Sequence, residues 1–182
     1  MNDPGAITLF LTVGLPGAGK TTRARQLAKE HNALRLTPDE WMIPLFGEPE
    51  ADGKRDVLEG RLLSLAMEAL RLGTNVVLDF GCWSRAERSA IRWLAESAGA
   101  SCRLVYVPVD LETQRARIAR RQSLTPDQNF PVNEADLLNW RMLFEEPDAA
   151  ELDGDEIGPP PPDWPGWPEW AADRWPSFSA CS

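Results

Sequence analysis

The sequence predicts an α/β fold in three layers, with a mainly parallel sheet covered by helices on both faces. Short apolar runs of strand length alternate along the chain with segments of helical periodicity, which is the order that builds right-handed βαβ units. The glycine-rich segment GLPGAGKT at residues 14–21 fits the pattern GxxxxGK[ST] between the first strand and the first helix. Together these observations indicate the P-loop NTPase fold, and 182 residues suffice for one such domain.

The elements of the first half follow from run length and periodicity. Residues 7–13 (ITLFLTV) form a continuous apolar, β-branched run, as expected of a strand buried on both faces. After the glycine-rich turn, the pattern predicts a helix over 21–30 and a short strand over 33–36, which ends at a TPDE turn. A longer helix is predicted over 55–72, where leucines recur at helical spacing before a glycine ends it.

The second half continues the alternation. Residues 75–80 (NVVLDF) and 102–107 (CRLVYV) are the third and fourth strands, and Ser84 begins a helix with Glu87 three residues on, as in a capping box. The remaining predicted elements are an arginine-rich helix over 111–122, a polar loop over 123–132 and a last helix over 133–144. The end of the arginine-rich helix and the polar loop together form a predicted lid near 115–132. The carboxyl ends of parallel strands share one edge, so we expect the loops that follow them to form one site.

The net charge of −9 is unevenly distributed. Residues 1–141 carry 18 acidic and 18 basic side chains, whereas ten acidic residues and a single arginine follow Arg141. The predicted division is therefore a neutral P-loop kinase domain over 1–144 and an acidic, then Pro/Trp-rich, segment over 145–182. A neutral body argues against a protein built to hold a long nucleic acid.

Several other classes of protein are disfavoured by composition. The three cysteines form no CxxC pair, which indicates a reducing, cytoplasmic compartment. His31 is the only histidine, so zinc sites and His-based catalytic triads are not expected. No apolar run reaches the ~18 residues that span a bilayer, and a charged signal-peptide start is not found. The sequence leaves the oligomeric state undetermined.

The glycine-rich segment is the predicted binding site for the phosphates of ATP. Glycines let backbone N–H groups turn inward around a phosphate, and the helix N-terminus adds its positive end. Lys20 supplies a cation to the β- and γ-phosphates, and the Thr21 hydroxyl is a ligand for Mg²⁺. The predicted nucleotide-binding residues are Gly14, Pro16, Gly17, Ala18, Gly19, Lys20, Thr21 and Thr22.

Two carboxylates at strand ends are candidates for the chemistry. Asp79 ends the apolar run VVLD, and an acid there can hold the Mg²⁺ shell together with Thr21, although a helix-capping or turn aspartate would look the same. Asp39 follows the second strand, nineteen residues after Lys20, where a kinase needs a carboxylate to accept the hydroxyl proton. It could instead cap the short helix 40–45, in which case Glu40 is the next candidate base.

Four arginines lie on the predicted helix 111–122, namely Arg115, Arg117, Arg120 and Arg121. Arg117 and Arg121 are four residues apart, so they share a helix face and can neutralise the charge of the transferred phosphoryl group. Alternatively, the arginines form a solvated face that pairs with neighbouring acids, which is the interpretation we adopt for Arg115.

The motifs GLPGAGKTT, TPDEW, VVLDFGCWSRAER and RARIARRQ together resemble the P-loop kinase group often called AAA-type "predicted kinases". That group includes zeta toxins, chloramphenicol phosphotransferase and the polynucleotide 5′-kinase domain. The resemblance spans residues 7–151 and implies a phosphotransferase with Asp39 at the position of the catalytic aspartate. It also implies lid arginines at Arg117 and at Arg120 or Arg121. It implies no substrate, because members act on antibiotics, nucleotide sugars and nucleic-acid ends.

The tail from residue 158 holds seven prolines and four of the eight tryptophans. The prolines argue against a helix, and a polyproline II chain would place Trp164, Trp167 and Trp170 in one stripe. Disordered tails are poor in aromatic residues, so we expect these tryptophans to be buried against the body, with the acidic stretch returning across the domain as a strap. Substrate covering and partner binding are the alternatives.

These features predict an ATP- and Mg²⁺-dependent kinase that transfers the γ-phosphoryl group to a hydroxyl of a small molecule. A polynucleotide or nucleotide-sugar kinase is one alternative. A nucleotide-binding switch or regulatory ATPase is the other.

Overall fold

A computed structural model of the chain describes residues 6–48, 51–124 and 132–179. Its elements within these ranges, in chain order, are β1 Thr8–Val13, α1 Lys20–Glu30, β2 Leu34–Leu36, α2 Asp39–Phe46, α3 Lys54–Arg71, β3 Val76–Leu78, α4 Arg85–Ser97, β4 Ser101–Tyr106, α5 Leu111–Leu124, α6 Glu134–Leu143, α7 Ala149–Asp153 and α8 Trp167–Arg174. The predicted bounds of the strands and of the helices up to α6 agree to within one or two residues. None of the helices in the described ranges combines the length and apolar character that a bilayer-spanning segment requires.

The four strands form one all-parallel sheet in the order β2-β3-β1-β4. Leu9 in the central strand pairs with Val76 of β3 on one side and with Cys102 of β4 on the other. Leu9, Leu11 and Val13 have no exposed surface, because β1 has neighbours on both edges and helices on both faces. The predicted three-layer α/β fold is confirmed.

Alternate residues of the strands face two different helical layers. Phe10 and Val77 pack with Ala24 and Leu27 of α1 in a small apolar cluster. The main core lies on the opposite face, where side chains of β1 and β3 meet α3, α4 and α8. This parity follows from the period of two along a strand. Because the helices cover the two faces of the sheet, the carboxyl ends of the strands stay accessible at one edge. The loops at that edge carry the candidate site.

The start of α4 has the predicted capping box. The Ser84 hydroxyl accepts a hydrogen bond from the Glu87 backbone N–H at 3.1 Å, and the Glu87 carboxylate accepts one from the Ser84 N–H at 3.1 Å. A second capping box, which the sequence analysis did not identify, joins Asn133 and Asp136 at the start of α6. Both boxes satisfy backbone donors that a helix N-terminus leaves without partners.

The acidic stretch after α6 returns over α4, as expected of a strap. Arg88 of α4 binds both carboxylate oxygens of Glu151, at 2.8 and 2.9 Å, and both side chains are buried. Its third nitrogen donates to the carbonyl oxygen of Glu145 at 2.7 Å. Arg85 and Asp148 form a further pair at the surface. The predicted division between 144 and 145 stays a prediction, although these contacts cross it.

The expectation that the tail has no helix is wrong. Residues Trp167–Arg174 form α8, with Pro168 in its first turn, where the missing N–H would have no helical partner. The tryptophans therefore do not form a polyproline II stripe. Trp167 is buried as expected, but Trp164 and Trp170 are only half-buried. The most deeply buried tryptophan of the tail is Trp175, at 1% exposure.

The last described residues of the tail cross α3 at Gly60. A Cβ atom on Gly60 would lie 2.5 Å from the Ser177 hydroxyl and 2.8 Å from the Phe178 nitrogen. The Ser64 hydroxyl, one turn further along α3, accepts a hydrogen bond from the Ser179 N–H at 3.1 Å. The tail therefore docks on its own domain, and the glycine in α3 is what allows its backbone to come so close.

Candidate active site

The glycine-rich loop after β1 is tightly folded against its neighbours. Gly14 has φ 155°, and a Cβ atom there would lie 2.6 Å from the carbonyl oxygen of Val107, at the end of β4. Gly17 and Gly19 have φ of 81° and 102°, a region that side-chain-bearing residues rarely adopt. Gly19 also precedes the first turn of α1 without any side chain capping it. The loop thus presents backbone N–H groups at a helix N-terminus, which is a ready anion site.

The other predicted loop residues hold this shape. The Ala18 N–H donates to the carbonyl oxygen of Leu15 at 3.1 Å, which closes a turn. The carbonyl oxygen of Pro16 accepts a hydrogen bond from the Gln114 side chain of α5 at 3.0 Å. Thr22 lies exposed in the first turn of α1. α5 therefore braces the loop from outside.

Lys20 follows the loop as the first residue of α1. Its ammonium group donates to the carbonyl oxygen of Leu15 at 3.1 Å. Burial lowers the pKa of Lys20, while the nearby carboxylates of Asp79 and Asp39 act in the opposite direction, and Arg121 is close enough to add a repulsive contribution. Lys20 thus connects the loop electrostatically to both candidate carboxylates and to one of the lid arginines.

Asp79 accepts hydrogen bonds from three threonine hydroxyls. Thr21 of α1 donates at 2.7 Å, Thr12 of β1 at 3.0 Å and Thr37 after β2 at 3.5 Å. Asp79 is only 6% exposed, so these donors replace the water that a carboxylate would otherwise bind. The roles of Thr12 and Thr37 were not predicted from the sequence, where their only signal is their position near strand ends.

The pair Thr21 and Asp79 fits the oxygen ligands that Mg²⁺ prefers. In the part of the chain that the structure describes, no group of three or more His, Cys, Asp or Glu side chains could hold a metal ion. A cation beside this pair would complete its shell with phosphate oxygens and water, as Mg²⁺ commonly does.

Asp39 does not cap α2 through its side chain. Pro38 occupies the N-cap position, without a side-chain cap hydrogen bond, and Asp39 lies in the first turn of the helix. The Asp39 carboxylate, 68% exposed, binds the guanidinium of Arg55 at 2.8 Å. Glu40 points elsewhere: it pairs with Arg35 at 2.8 Å and Arg25 at 3.0 Å. The Arg35 hydrogen bond is the main cause of its lowered pKa.

The arginines of α5 have different surroundings. Arg117 donates to the carbonyl oxygens of Gly17 and Ala18, at 3.2 and 2.8 Å, so it touches the phosphate-binding loop. Arg115 binds Glu134 of α6 at the surface. Much of the predicted lid, residues 125–131, lies outside the described residues.

A cavity of about 640 Å³, which no local sequence pattern predicts, lies beside the glycine-rich loop. The Tyr106 and Phe144 rings stack at 6.2 Å between centroids, and Arg141 is held in place by hydrogen bonds to the Gln114 side chain and the Val109 carbonyl, at 2.9 and 2.7 Å. Its lining includes Leu15, Tyr106, Val109, Arg117, Arg141 and Phe144. An aromatic and apolar wall next to a phosphate-binding loop suits a nucleobase.

Comparison with protein families gives one match. Residues 9–147 match the family described as "AAA domain", a range that runs from β1 past the end of α6. A comparison with curated proteins found no significant match.

Comparison with solved structures gives fold relatives. The Mycobacterium tuberculosis APS kinase CysC, in complex with AMPPNP and APS, is 16% identical, with 77% of this chain and 98% of that chain covered and a TM-score of 0.53. A gluconokinase from Sinorhizobium meliloti 1021 is also 16% identical, with 81% and 79% covered and a TM-score of 0.53.

A chain of the Pnkp1/Rnl/Hen1 RNA repair complex is 21% identical over 78% of this chain, with a TM-score of 0.58. Only 45% of that RNA-repair chain is covered, so the present chain spans less than half of its length. At these identities the likeness establishes a shared fold.

Proposed function

We propose that this chain, which belongs to the AAA domain family, is an ATP-dependent kinase. Its acceptor would be a hydroxyl of a small molecule. The observation that carries the proposal is the grouping at one sheet edge of Lys20, the Thr21–Asp79 pair and Asp39. Lys20 lies in the electrostatic field of both carboxylates. A candidate donor site and a candidate base are therefore both close enough to Lys20 to act on its charge.

The donor side holds the nucleotide. The loop N–H groups and Lys20 bind the β- and γ-phosphates. Thr21 and Asp79 would hold Mg²⁺, which would offset the negative charge of these phosphates. The cavity beside the loop takes the base and ribose, with Tyr106 and Phe144 as its apolar wall. The fold shared with a kinase solved in complex with AMPPNP supports this arrangement.

The acceptor side carries out the transfer. The bond between the γ-phosphorus and the ADP oxygen breaks, a bond from phosphorus to the acceptor oxygen forms, and Asp39 accepts the proton of that hydroxyl. Arg117 and Arg121 offset the charge that spreads over the γ-oxygens during transfer. The exposed position of Asp39 suits a group that must meet a diffusing substrate.

A nucleic-acid 5′-hydroxyl is the second candidate acceptor. The fold shared with a chain of an RNA repair complex favours it. The equal numbers of acidic and basic residues over 1–141 argue against a long strand, so a short end would be the substrate.

Acceptor-dependent ATP consumption tests the proposal. The protein with Mg²⁺ and ATP is screened against hydroxyl compounds and a short oligonucleotide with a 5′-hydroxyl, and phosphorylated products are identified by mass spectrometry. We expect one acceptor class to raise consumption well above the basal rate. Slow hydrolysis that no acceptor changes would indicate a nucleotide-binding switch or regulatory ATPase instead.

The role of Asp39 is tested by the substitution Asp39→Asn, which keeps the shape of the side chain but cannot accept the proton. Transfer should fall by about 10² or more while nucleotide affinity persists. Glu40→Gln is the matched control, because Glu40 is held by two arginines away from Lys20, and it should keep most activity. The reverse pattern would make Glu40 the base.

A further inference from the structure

The tail reaches the acceptor side through one buried carboxylate. Glu59 of α3 is 5% exposed, and its two oxygens have different partners. One accepts a hydrogen bond from the Arg55 Nε at 3.2 Å, and the other accepts one from the indole N–H of Trp175 at 3.3 Å. The same Arg55 binds Asp39 through a terminal nitrogen at 2.8 Å. A continuous set of polar contacts therefore runs from Trp175 through Glu59 and Arg55 to Asp39.

We propose that Trp175 and Glu59 are positioning residues for Asp39, acting through Arg55, so that the C-terminal segment is a working part of the acceptor side. This inference rests on the proposed role of Asp39 as the base. It assigns the Pro/Trp-rich tail a function in phosphoryl transfer. Nucleotide binding by the glycine-rich loop does not depend on that function.

The geometry explains why Asp39 needs such support. Its side chain is mostly exposed and caps no helix, so solvent alone would leave it free to change rotamer. Arg55 has a planar guanidinium with donors in fixed directions. When Glu59 holds the Nε edge of that plane, the terminal nitrogen is aimed at Asp39, and the carboxylate is fixed in one orientation.

At the Trp175 end of this set of polar contacts, the side chain is held by packing and by neighbouring ion pairs. Trp175 is 1% exposed and packs edge-on against the Trp170 ring at 5.9 Å between centroids. The preceding residue, Arg174, bridges Asp56 of α3 and Glu87 of α4 at 2.7 and 2.8 Å. The indole donor is therefore held in place from two helices, and displacing the tail would leave Glu59 without one of its partners.

Glu59 also provides a titration through which its effect on Arg55 can be tested. Burial raises the pKa of Glu59 to about 7. The charged or titratable groups around it are Arg55 and Asp56 of α3, Arg174 of α8, Glu87 of α4, and Cys82 after β3. Below pH 7 the neutral carboxyl loses its charge attraction for Arg55, so Asp39 is held less firmly and transfer falls.

The experiment compares two buried tryptophans of the tail. Trp175→Phe keeps an aromatic ring but removes the donor to Glu59. The control Trp167→Phe removes an indole donor of the same kind, whose acceptor is the Gly158 carbonyl at 3.0 Å, outside that set of polar contacts. We expect Trp175→Phe to lower kcat for transfer by about 5- to 10-fold with KM for ATP unchanged, and Trp167→Phe to change kcat by less than about 2-fold.

Glu59→Gln tests the charge with almost no change of shape. In the parent, the transfer rate should fall as the pH is lowered, with a midpoint near pH 7. The variant should lack this pH dependence, and its rate should stay near the low-pH limit of the parent. A readout without turnover is the ¹⁵N NMR signal of the Arg55 Nε. It should shift with the same midpoint in the parent and stay constant in Glu59→Gln.

The inference is overturned if the two tryptophan variants lose equal activity, or if Glu59→Gln keeps the parent's pH profile and Arg55 signal. These results differ from failure of the proposed function, in which Asp39→Asn itself leaves transfer unchanged. If Trp175→Phe fails to fold, the Glu59→Gln comparisons still decide the question.

Discussion

The Thr21 hydroxyl and the Asp79 carboxylate are joined by a hydrogen bond of 2.7 Å, although 58 positions separate them along the chain. The bond ties the first turn of α1 to the end of β3. A second threonine, Thr12, holds the other oxygen of Asp79 at 3.0 Å. The two candidate Mg²⁺ ligands are thus already adjacent, so little reorganisation opposes the entry of a metal–nucleotide complex.

Removing the Lys20 charge should abolish most nucleotide binding without unfolding the protein. Lys20 is only partly buried, and its ammonium donates to the Leu15 carbonyl of the loop and does not pack in the apolar core, so the substitution should leave the fold intact. Lys20→Ala should weaken ATP binding by at least about 10-fold, since it removes a charged contact to phosphate. Calorimetry with Mg²⁺ measures the affinity, and a thermal melt reports the fold.

The control is Lys29→Ala, in the last turn of the same helix, where the lysine is exposed. It should bind ATP like the parent. Equal affinity of Lys20→Ala and the parent would remove the loop from the donor site.

Two arginines on α5 should differ in their effect on catalysis. Arg117 touches the glycine-rich loop, whereas Arg115 pairs with Glu134 at the surface. Arg117→Ala should lower turnover by about 10² or more, because an arginine that stabilises the transferred charge is commonly worth 10³ or more. Arg115→Ala should leave turnover unchanged, since its partner is a surface carboxylate of α6 and not the glycine-rich loop. Rate measurements at saturating ATP compare them, and equal rates would show that Arg117 does not stabilise the transferred charge.

Alanine at position 60 should destabilise the protein. In an exposed helix, Gly→Ala stabilises by about 0.5–1 kcal/mol, but here the new methyl group would meet Ser177 and the Phe178 backbone. Overpacking of this kind costs about 1–3 kcal/mol. Urea unfolding measures the change, with Glu68→Ala on the exposed side of α3 as the control, expected within about 0.5 kcal/mol of the parent. A more stable Gly60→Ala protein would mean that the tail does not lie on α3.

Glu59 should make stability decrease as the solution becomes more basic. Its pKa is raised from 4.5 to about 7 by burial, so the folded state holds a proton that the unfolded state has lost. The free energy of unfolding should therefore fall as pH rises from 4.5 through 7, by up to about 3 kcal/mol from this group.

Urea unfolding at several pH values measures that dependence. In Glu59→Gln the contribution is absent, so the difference in stability between parent and variant should follow the titration of Glu59. A constant difference across this range would show that Glu59 does not titrate there.

Local patterns predicted the strands, the glycine-rich loop and the α4 capping box, because each depends on residues close together in sequence. The position of Asp79 beside Thr21 also followed, since parallel strands end at one edge. Arg55 could not be found this way, because nothing in the sequence links residue 55 to Asp39. For α8, the period of three in the tryptophans suggested polyproline II, yet the spacing of four between Trp167, Ala171 and Trp175 was the signal of its buried face.

The Arg88–Glu151 pair has a practical consequence for recombinant work. The family match ends at residue 147, which invites an expression boundary at that point. A protein shortened there would keep Arg88 inside the domain and lose the carboxylate that neutralises it. Breaking a buried pair in this way costs about 3–5 kcal/mol, against a total stability of about 5–15 kcal/mol for a typical domain. Such a fragment should accumulate in inclusion bodies, and cloning limits chosen from family alignments would discard a segment that the folded protein needs.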